Sequence, residues 1–284
     1  MIDIIIPCYN AHSTIDKTLN SIIVQSIKEK AKVLLVDDAS DKGYESVVSK
    51  YKEYIDISLL TLKDNVGPGL AREKGIQHTK SKYIMFIDSD DLLMNVYSLE
   101  LLYKNIEEGY DYVITEHYNE KTGVVSVNSG DLHGKIYRRK YIEDNNIHFN
   151  ATRVHEDNYF NNYVFISGAN FKRIDICTYY YVYNNESITN REDLEVDRLE
   201  IYFKNCNELI DIAKKNNYSE IRLNAFMGIK YAYINKLYNE VSGEKKKLLD
   251  NLVKKYVPDF EKYKGLKYEA CVYKLLKENK VLEK

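Results

Sequence analysis

Across its first 90 residues the chain alternates short apolar runs with segments of helical period. Ile2–Ile6, Lys32–Val36, Ile57–Lys63 and Tyr83–Ile87 are near-continuous aliphatic stretches, the pattern of parallel strands buried on both faces. Between them the spacing of apolar positions predicts helices at Ser13–Ser26, Gly43–Lys52 and Gly69–His78. This alternation implies βαβ units and an α/β fold with a mostly parallel sheet flanked by helices. A helix at Val96–Glu108 and a strand at Asp111–His117 follow. From about Glu120 to Arg191 the pattern loosens, with core stretches at Lys135–Arg138, His155–Asn162 and Cys177–Tyr183. From about Asp193 only helical periodicity remains, at Leu194–Lys215, Ile221–Tyr238, Glu244–Tyr256 and Glu261–Lys280. The expected organisation is therefore a 1–192 domain, divided near residue 118, and a helical C-terminal subdomain at 193–284.

The polar residues fall where the strands end. The turns Pro7-Cys8-Tyr9-Asn10, Asp37-Asp38-Ala39-Ser40, Asp64 to Gly69 and Asp88 to Asp91 all follow predicted strands, the edge where α/β sheets bind ligands. The run Tyr83-Ile-Met-Phe-Ile-Asp88-Ser-Asp90-Asp91 is the most telling, because three carboxylates occupy four positions at a strand tip. Like charges repel there, and their desolvation is costly unless a cation or donors meet them. Hard oxygen ligands at this spacing suit Mg²⁺ or Mn²⁺. An acidic N-cap on the following helix is the competing structural reading.

Composition narrows the function classes. The 284 residues are 44% apolar and 30% charged, as in a globular protein. A net charge of −2 leaves no broad basic surface, so nucleic acid is not an expected partner. Arg138-Arg139-Lys140 and Lys245-Lys246-Lys247 read as solvated faces. Cys8, Cys177, Cys206 and Cys271 lie far apart without a C-x-x-C, which suits reduced thiols in the cytoplasm. The N-terminus lacks the features of a signal peptide, and no apolar run reaches the roughly 18–20 residues of a membrane span. Peripheral membrane contact and homo-oligomerisation through the C-terminal helices stay open. The six histidines show no zinc-type spacing.

Taken together, Ile4-Ile-Ile-Pro-Cys-Tyr-Asn10, Val36-Asp-Asp-Ala-Ser40, Asn65-Val-Gly-Pro-Gly-Leu-Ala-Arg72, Phe86-Ile-Asp-Ser-Asp-Asp91 and His155-Glu-Asp157 resemble glycosyltransferase family 2, whose fold is the Rossmann-like GT-A. The resemblance covers about residues 1–190. It implies an inverting, metal-dependent transfer from a nucleotide sugar, UDP-linked, to a hydroxyl of a glycan, polymer or protein. By resemblance Asp38 accepts the uracil N–H, while Pro7, Tyr9 and Asn10 flank base and ribose. Asn65 and Arg72 reach the base and diphosphate. Asp88-Ser89-Asp90 is the family's D-x-D, with Asp90 the leading ligand of Mn²⁺ or Mg²⁺, Asp88 and Ser89 facing ribose or sugar, and Asp91 assisting. Asp157 is the implied general base, with Glu156 binding the acceptor or sharing that role. Gly134-Lys135-Ile-Tyr-Arg138 matches the segment before the base. The stretch Tyr179–Tyr183 with Ser187 and Thr189 matches the end-of-domain strand and loop. There the family's usual basic residue is missing, leaving Arg191, Ser187 or Thr189 to meet the diphosphate. Two readings from other classes stay beside this one: a non-catalytic nucleotide-sugar-binding module, and a nucleotidyltransferase with a related core.

Overall fold

The computed structural model describes residues 1–127, 130–184 and 195–256. The chain divides into two compact units, Met1–Asn161 with Ala169–Asn185, and Asn162–Gly168 with Glu186–Lys284.

The first unit is built on one sheet. Its first four long strands are β1 (Ile2–Cys8), β2 (Ala31–Asp37), β3 (Asp56–Thr61) and β4 (Tyr83–Phe86). Short β5 (Leu92–Leu93), β6 (Tyr112–Asn119), β7 (Val124–Ser126), β8 (Lys135–Arg138) and β9 (Phe171–Tyr181) complete it among the described residues. The order is β3-β2-β1-β4-β8-β6-β9-β5, with β7 beside β6. The joins among β1 to β4 are parallel, as the aliphatic runs require. Beyond them the sheet is mixed: β8 runs antiparallel to both β4 and β6, and β6 runs parallel to β9 with bulges on either side of Glu116. The cause is local. After β6 the chain carries no crossover helix, so it turns back as a hairpin into β7 and slots β8 between β4 and β6.

Helices cover both faces. Ile2, Ile4, Ile6 and Cys8 of β1 pack with Ile15, Leu19 and Ile22 of α1 (Ile15–Ile23). Leu99, Leu102 and Ile106 of α4 (Ser98–Glu107) join the same cluster, as do Val47 and Tyr51 of α2 (Glu45–Tyr51). On the other face Ile5 of β1 and Val36 of β2 meet α3 (Pro68–His78) at Gly75. Short α5 (Arg139–Asp144) and α6 (Glu156–Ile166) follow β8.

One basic run differs from its sequence reading. Arg139 is buried, its guanidinium pairing with Asp3 at 2.9 Å and donating to the Ser81 and Ile76 carbonyls. Arg138 donates to the Tyr110 carbonyl, so of these three residues only Lys140 is a solvated charge. Buried Asp3, at the opposite end of the chain segment, is the counter-charge that lets Arg139 enter the interior.

The second unit contains α7 (Glu195–Lys215), α8 (Glu220–Glu240) and α9 (Gly243–Tyr256). Their buried stripes include Phe203, Leu209, Phe226, Ile234, Leu249 and Val253. Lys230 donates to Asn207, which in turn donates to the Tyr256 carbonyl. The Glu261–Lys280 helix, and with it Ser187, Thr189 and Arg191, lies outside the described residues. Among the described residues no helix is long and apolar enough to cross a membrane.

Candidate active site

Parallel registration sets the strand tips side by side. Cys8 of β1 pairs with Asp37 of β2, which pairs with Thr61 of β3, and Ile5 of β1 pairs with Phe86 of β4. The four polar turns therefore open on one edge. They are cross-linked to one another. The Asn10 amide donates to Ser40 Oγ at 3.0 Å, and its side chain exchanges two hydrogen bonds with Asp41. Pro7, the last residue but one of β1, is half-buried, while Tyr9 just beyond the strand is 54% exposed. Asn10 and Ala39 both adopt left-handed backbone, with φ of 52° and 59°. Such conformations are held by their surroundings rather than by preference, and they often mark functional loops.

Asp38 is buried, and its carboxylate accepts the backbone amides of Val66 at 2.7 Å and Gly67 at 2.8 Å. It thereby fastens the β3–α3 turn to the tip of β2. Each oxygen keeps a further lone pair, so an N–H donor from outside can still be met. Asn65 donates to the Asp38 carbonyl and accepts from Arg153, whose guanidinium also holds the Asn65 carbonyl. Gly67, with φ of 89°, makes a turn that a side chain would strain. Pro68 then opens α3.

Arg72, on the first turns of α3, is 4% exposed and lies between two acidic groups. Nη2 pairs with Asp88 at 2.5 Å and Nη1 with Glu156 at 3.0 Å, while Nε has no partner among the described residues. Sequence reasoning expected this side chain at a diphosphate; here it is the bridge between the tip of β4 and the start of α6. Gly69 makes the approach of those helices possible, since a Cβ there would lie 2.7 Å from Glu156 Cγ.

The D-x-D residues divide by environment. Asp90 is partly exposed and accepts the Asn184 amide at 3.2 Å. Burial and the nearby Asp88 charge raise its pKa. Asp88 goes the other way, held below the ordinary carboxylate range by Arg72 and His133 against its own burial. Ser89 is half-buried between them. Asp91 is fully buried, its oxygens accepting from the Val182 amide and the Tyr179 hydroxyl at 2.9 and 2.8 Å. It anchors β9 beneath the strand tip. Asp88 and Asp90 stand close enough for one charge to act on the other, and Asp88, Asp91 and His133 each offer a ligand atom within 4.8 Å of the others, so the strand tip carries the oxygen donors that a divalent ion takes.

Glu156 and Asp157 begin α6, where the helix dipole favours negative charge. His155 before them has φ of 61°. Burial and the Asp157 charge push Glu156 up to about 7, Arg72 opposing. Burial and Asp131 raise Asp157, which also accepts its neighbour's amide, Asn158 N–H, at 2.6 Å. Below it, Asn161 donates to the Asp157 and Asp131 carbonyls and accepts from Tyr137. Lys135 is buried and donates to the Asp131 carbonyl, and burial lowers it to about 8.

The expected residues thus gather in two groups joined by Arg72. One takes in the strand-tip turns with Asp38, Asn65, Asp88 and Asp90, the other Glu156 and Asp157. Three contributors were not foreseen. Arg153 latches Asn65, Tyr179 secures Asp91, and His133 lies 3.7 Å from Asp91. Tyr179 lies in the tract matched to the end-of-domain strand, though without this role, and Arg153 is visible only as a basic residue just ahead of the acidic pair.

Comparison with known proteins adds the lineage. Residues 3–164 match the family model for glycosyl transferase family 2. The poly(ribitol-phosphate) β-N-acetylglucosaminyltransferase TarS of Staphylococcus aureus is 26% identical over 64% of this chain. That stretch is 35% of TarS, so the chain spans about a third of that relative's length. The minor teichoic acid biosynthesis protein GgaA of Bacillus subtilis is 23% identical, covering 98% of this chain and 72% of its own. The crystal structure of TarS 1–349 in complex with UDP-GlcNAc superposes with a TM-score of 0.70 at 21% identity, over 95% of this chain and 83% of that one. The mannosyltransferase PcManGT of Pyrobaculum calidifontis, in complex with GDP-Man and Mn²⁺, gives 0.61 at 13% identity, over 98% and 86%. The fold is GT-A, and with the family model matching more than half its length the chain belongs to glycosyltransferase family 2.

Proposed function

We propose that the protein is an inverting glycosyltransferase that moves a sugar from a UDP-linked donor to a hydroxyl of a glycan, polymer or protein. The observation carrying this is the Asp88–Arg72–Glu156 bridge, which holds a metal-type carboxylate pair and a base-type pair on one edge of the sheet. Asp38, buried at the tip of β2 with lone pairs to offer, meets the uracil N–H, with Pro7, Tyr9, Asn10 and Asn65 around the base and ribose. Asp90 and Asp88 would hold Mn²⁺ or Mg²⁺, with Asp91 as their buried anchor and Ser89 towards the sugar. Bound there, the ion would supply positive charge against the negative charge that grows on the leaving nucleotide.

The chemistry then falls to the chain's own groups. Asp157 takes the proton of the acceptor hydroxyl as that oxygen attacks the anomeric carbon and the bond to the nucleotide breaks. A single displacement from the rear inverts the configuration. Glu156 binds a neighbouring acceptor hydroxyl, and Arg72 is a positioning residue that fixes Asp88 and Glu156. The names of TarS and GgaA favour a poly(ribitol-phosphate) or teichoic-acid polymer as acceptor. We assign acceptor choice or self-association to the α7–α9 helices.

Calorimetry of UDP binding tests the donor side. Affinity should rise at least about tenfold, about 1.4 kcal/mol, when Mn²⁺ replaces EDTA, and Asp90→Ala should remove the gain. Equal affinities with metal and with EDTA would sink the metal assignment.

A further inference from the structure

Three buried side-chain atoms without a hydrogen-bond partner among the described residues belong to one cluster: His117 Nδ1, Asp131 Oδ1 and His133 Nδ1. Buried polar atoms are nearly always satisfied, and a group of orphans asks for a water or an ion. One candidate ligand atom from each residue lies within 4.8 Å of the other two. His133 Nδ1 stands 3.4 Å from Asp131 Oδ2. Two ligands bonded at about 2.0–2.1 Å to a tetrahedral ion stand about 3.3–3.4 Å apart, so this edge of the triangle already has a metal site's length.

The surroundings are those of a built site. His117, on β6, is 5% exposed. Its ring meets that of His133 edge-on, with centroids 5.1 Å apart. His133 is stacked against Tyr179 and Tyr181 at 4.7 and 4.9 Å, which fixes the ring's plane. Its other nitrogen, Nε2, lies 3.7 Å from Asp91 Oδ2. That carboxylate lies on the side where a metal-bound imidazole turns its remaining N–H, at a distance longer than a hydrogen bond. Sequence spacing hides the set because β6 supplies one residue and the segment entering β8 the other two.

We propose that His117, Asp131 and His133 form a second divalent-metal site, separate from Asp88 and Asp90, that takes Zn²⁺ or a similar borderline ion. Two imidazoles and one carboxylate suit Zn²⁺ and disfavour Mg²⁺, which prefers oxygen ligands. Three protein ligands leave a fourth position for water. An ion here ties β6 to the entry of β8 and sets His133 against Asp91, the residue anchoring the strand tip.

The full chain, stripped with EDTA, is titrated with Co²⁺ alone as a spectroscopic probe and with Zn²⁺ by calorimetry. The wild type and Asp90→Ala should each bind one Co²⁺ with the intense visible absorption of a tetrahedral ion, besides any Co²⁺ that the wild type takes up at the D-x-D. His117→Phe keeps the ring and removes the ligand nitrogen, and should weaken binding at least about 100-fold; Asp131→Asn, which keeps size, should weaken it at least about tenfold. The proposal is overturned if wild type lacks the tetrahedral band. It is also overturned if Asp90→Ala abolishes the band, which would give the ion to the D-x-D, or if both ligand variants bind within twofold of wild type. Should His117→Phe lose its far-UV circular dichroism, Asp131→Asn decides by the same criterion.

Discussion

Asp88 and Glu156 both contact Arg72, at 2.5 and 3.0 Å, yet the shared guanidinium leaves them in different states. Asp88 is held below the ordinary carboxylate range, whereas Glu156 is pushed up to about 7. The difference comes from their other neighbours. Asp88 has His133 as a second positive partner, while Glu156 adjoins Asp157 in sequence and in space. One cation between two acids therefore does not decide their ionisation; the next charge along does. Asp88 is thus held anionic at the strand tip, while Glu156 at the helix start is poised to hold or release a proton.

Removing the proton acceptor breaks this division most strongly. Asp157→Asn should lower kcat by roughly 10²–10⁴-fold, the usual worth of a positioned base, while UDP affinity stays near wild type. Glu156→Gln should cost less. If Glu156→Gln proves the more damaging in steady-state assays, the two residues exchange roles.

Arg72→Met comes next, because it leaves two carboxylates in the interior without the cation between them. Urea unfolding should show a loss of about 3–5 kcal/mol, as for other broken buried ion pairs. Adding Glu156→Gln to that variant should restore part of the loss. A double variant no more stable than Arg72→Met alone would show that the two acids do not compete for the same charge.

The smallest effect is in pH. If Asp157 is the base proposed above it works ionised, and burial and Asp131 raise its pKa, so kcat should fall on acidification with a midpoint above the usual range for an aspartate. Stability carries a matching signature for Glu156. Its pKa in the fold, about 7, exceeds its ordinary 4.5, so the folded state holds the proton more tightly than the unfolded chain. That contribution is complete below about 4.5 and is lost as pH rises through about 7. Thermal melts of Glu156→Gln should have a flatter pH dependence across this window; an unchanged slope would remove Glu156 as its source.

What could be read without the structure follows from the range of the interactions. The aliphatic runs of β1 to β4 are local signals, and so are the acidic turns behind them. Both acidic motifs and the turn from Asn65 to Arg72 were legible for that reason. The placement of β8 between β4 and β6 was not, since Lys135–Arg138 looks the same whichever strand it joins. Arg72 was identified but not its surroundings, because its partners stand 16 and 84 residues away in the chain. Arg139 and Asp3 are 136 residues apart, and nothing in a basic triplet shows that one member will be buried against so remote a carboxylate. Tyr179 is one of five aromatic or aliphatic neighbours from Tyr179 to Tyr183, and only the fold shows that it is the one holding Asp91.

Gly69 has no side chain that could take part in catalysis, yet a methyl in its place would meet Glu156 Cγ and Cβ at 2.7 and 2.8 Å. In a saturation-mutagenesis survey this position should score as intolerant as the acids it serves, with an allowed alphabet of one letter. A library built to alter donor or acceptor preference gains nothing by randomising it. A position can thus be held to one residue by what it leaves out, as firmly as another is held by the charge that it supplies.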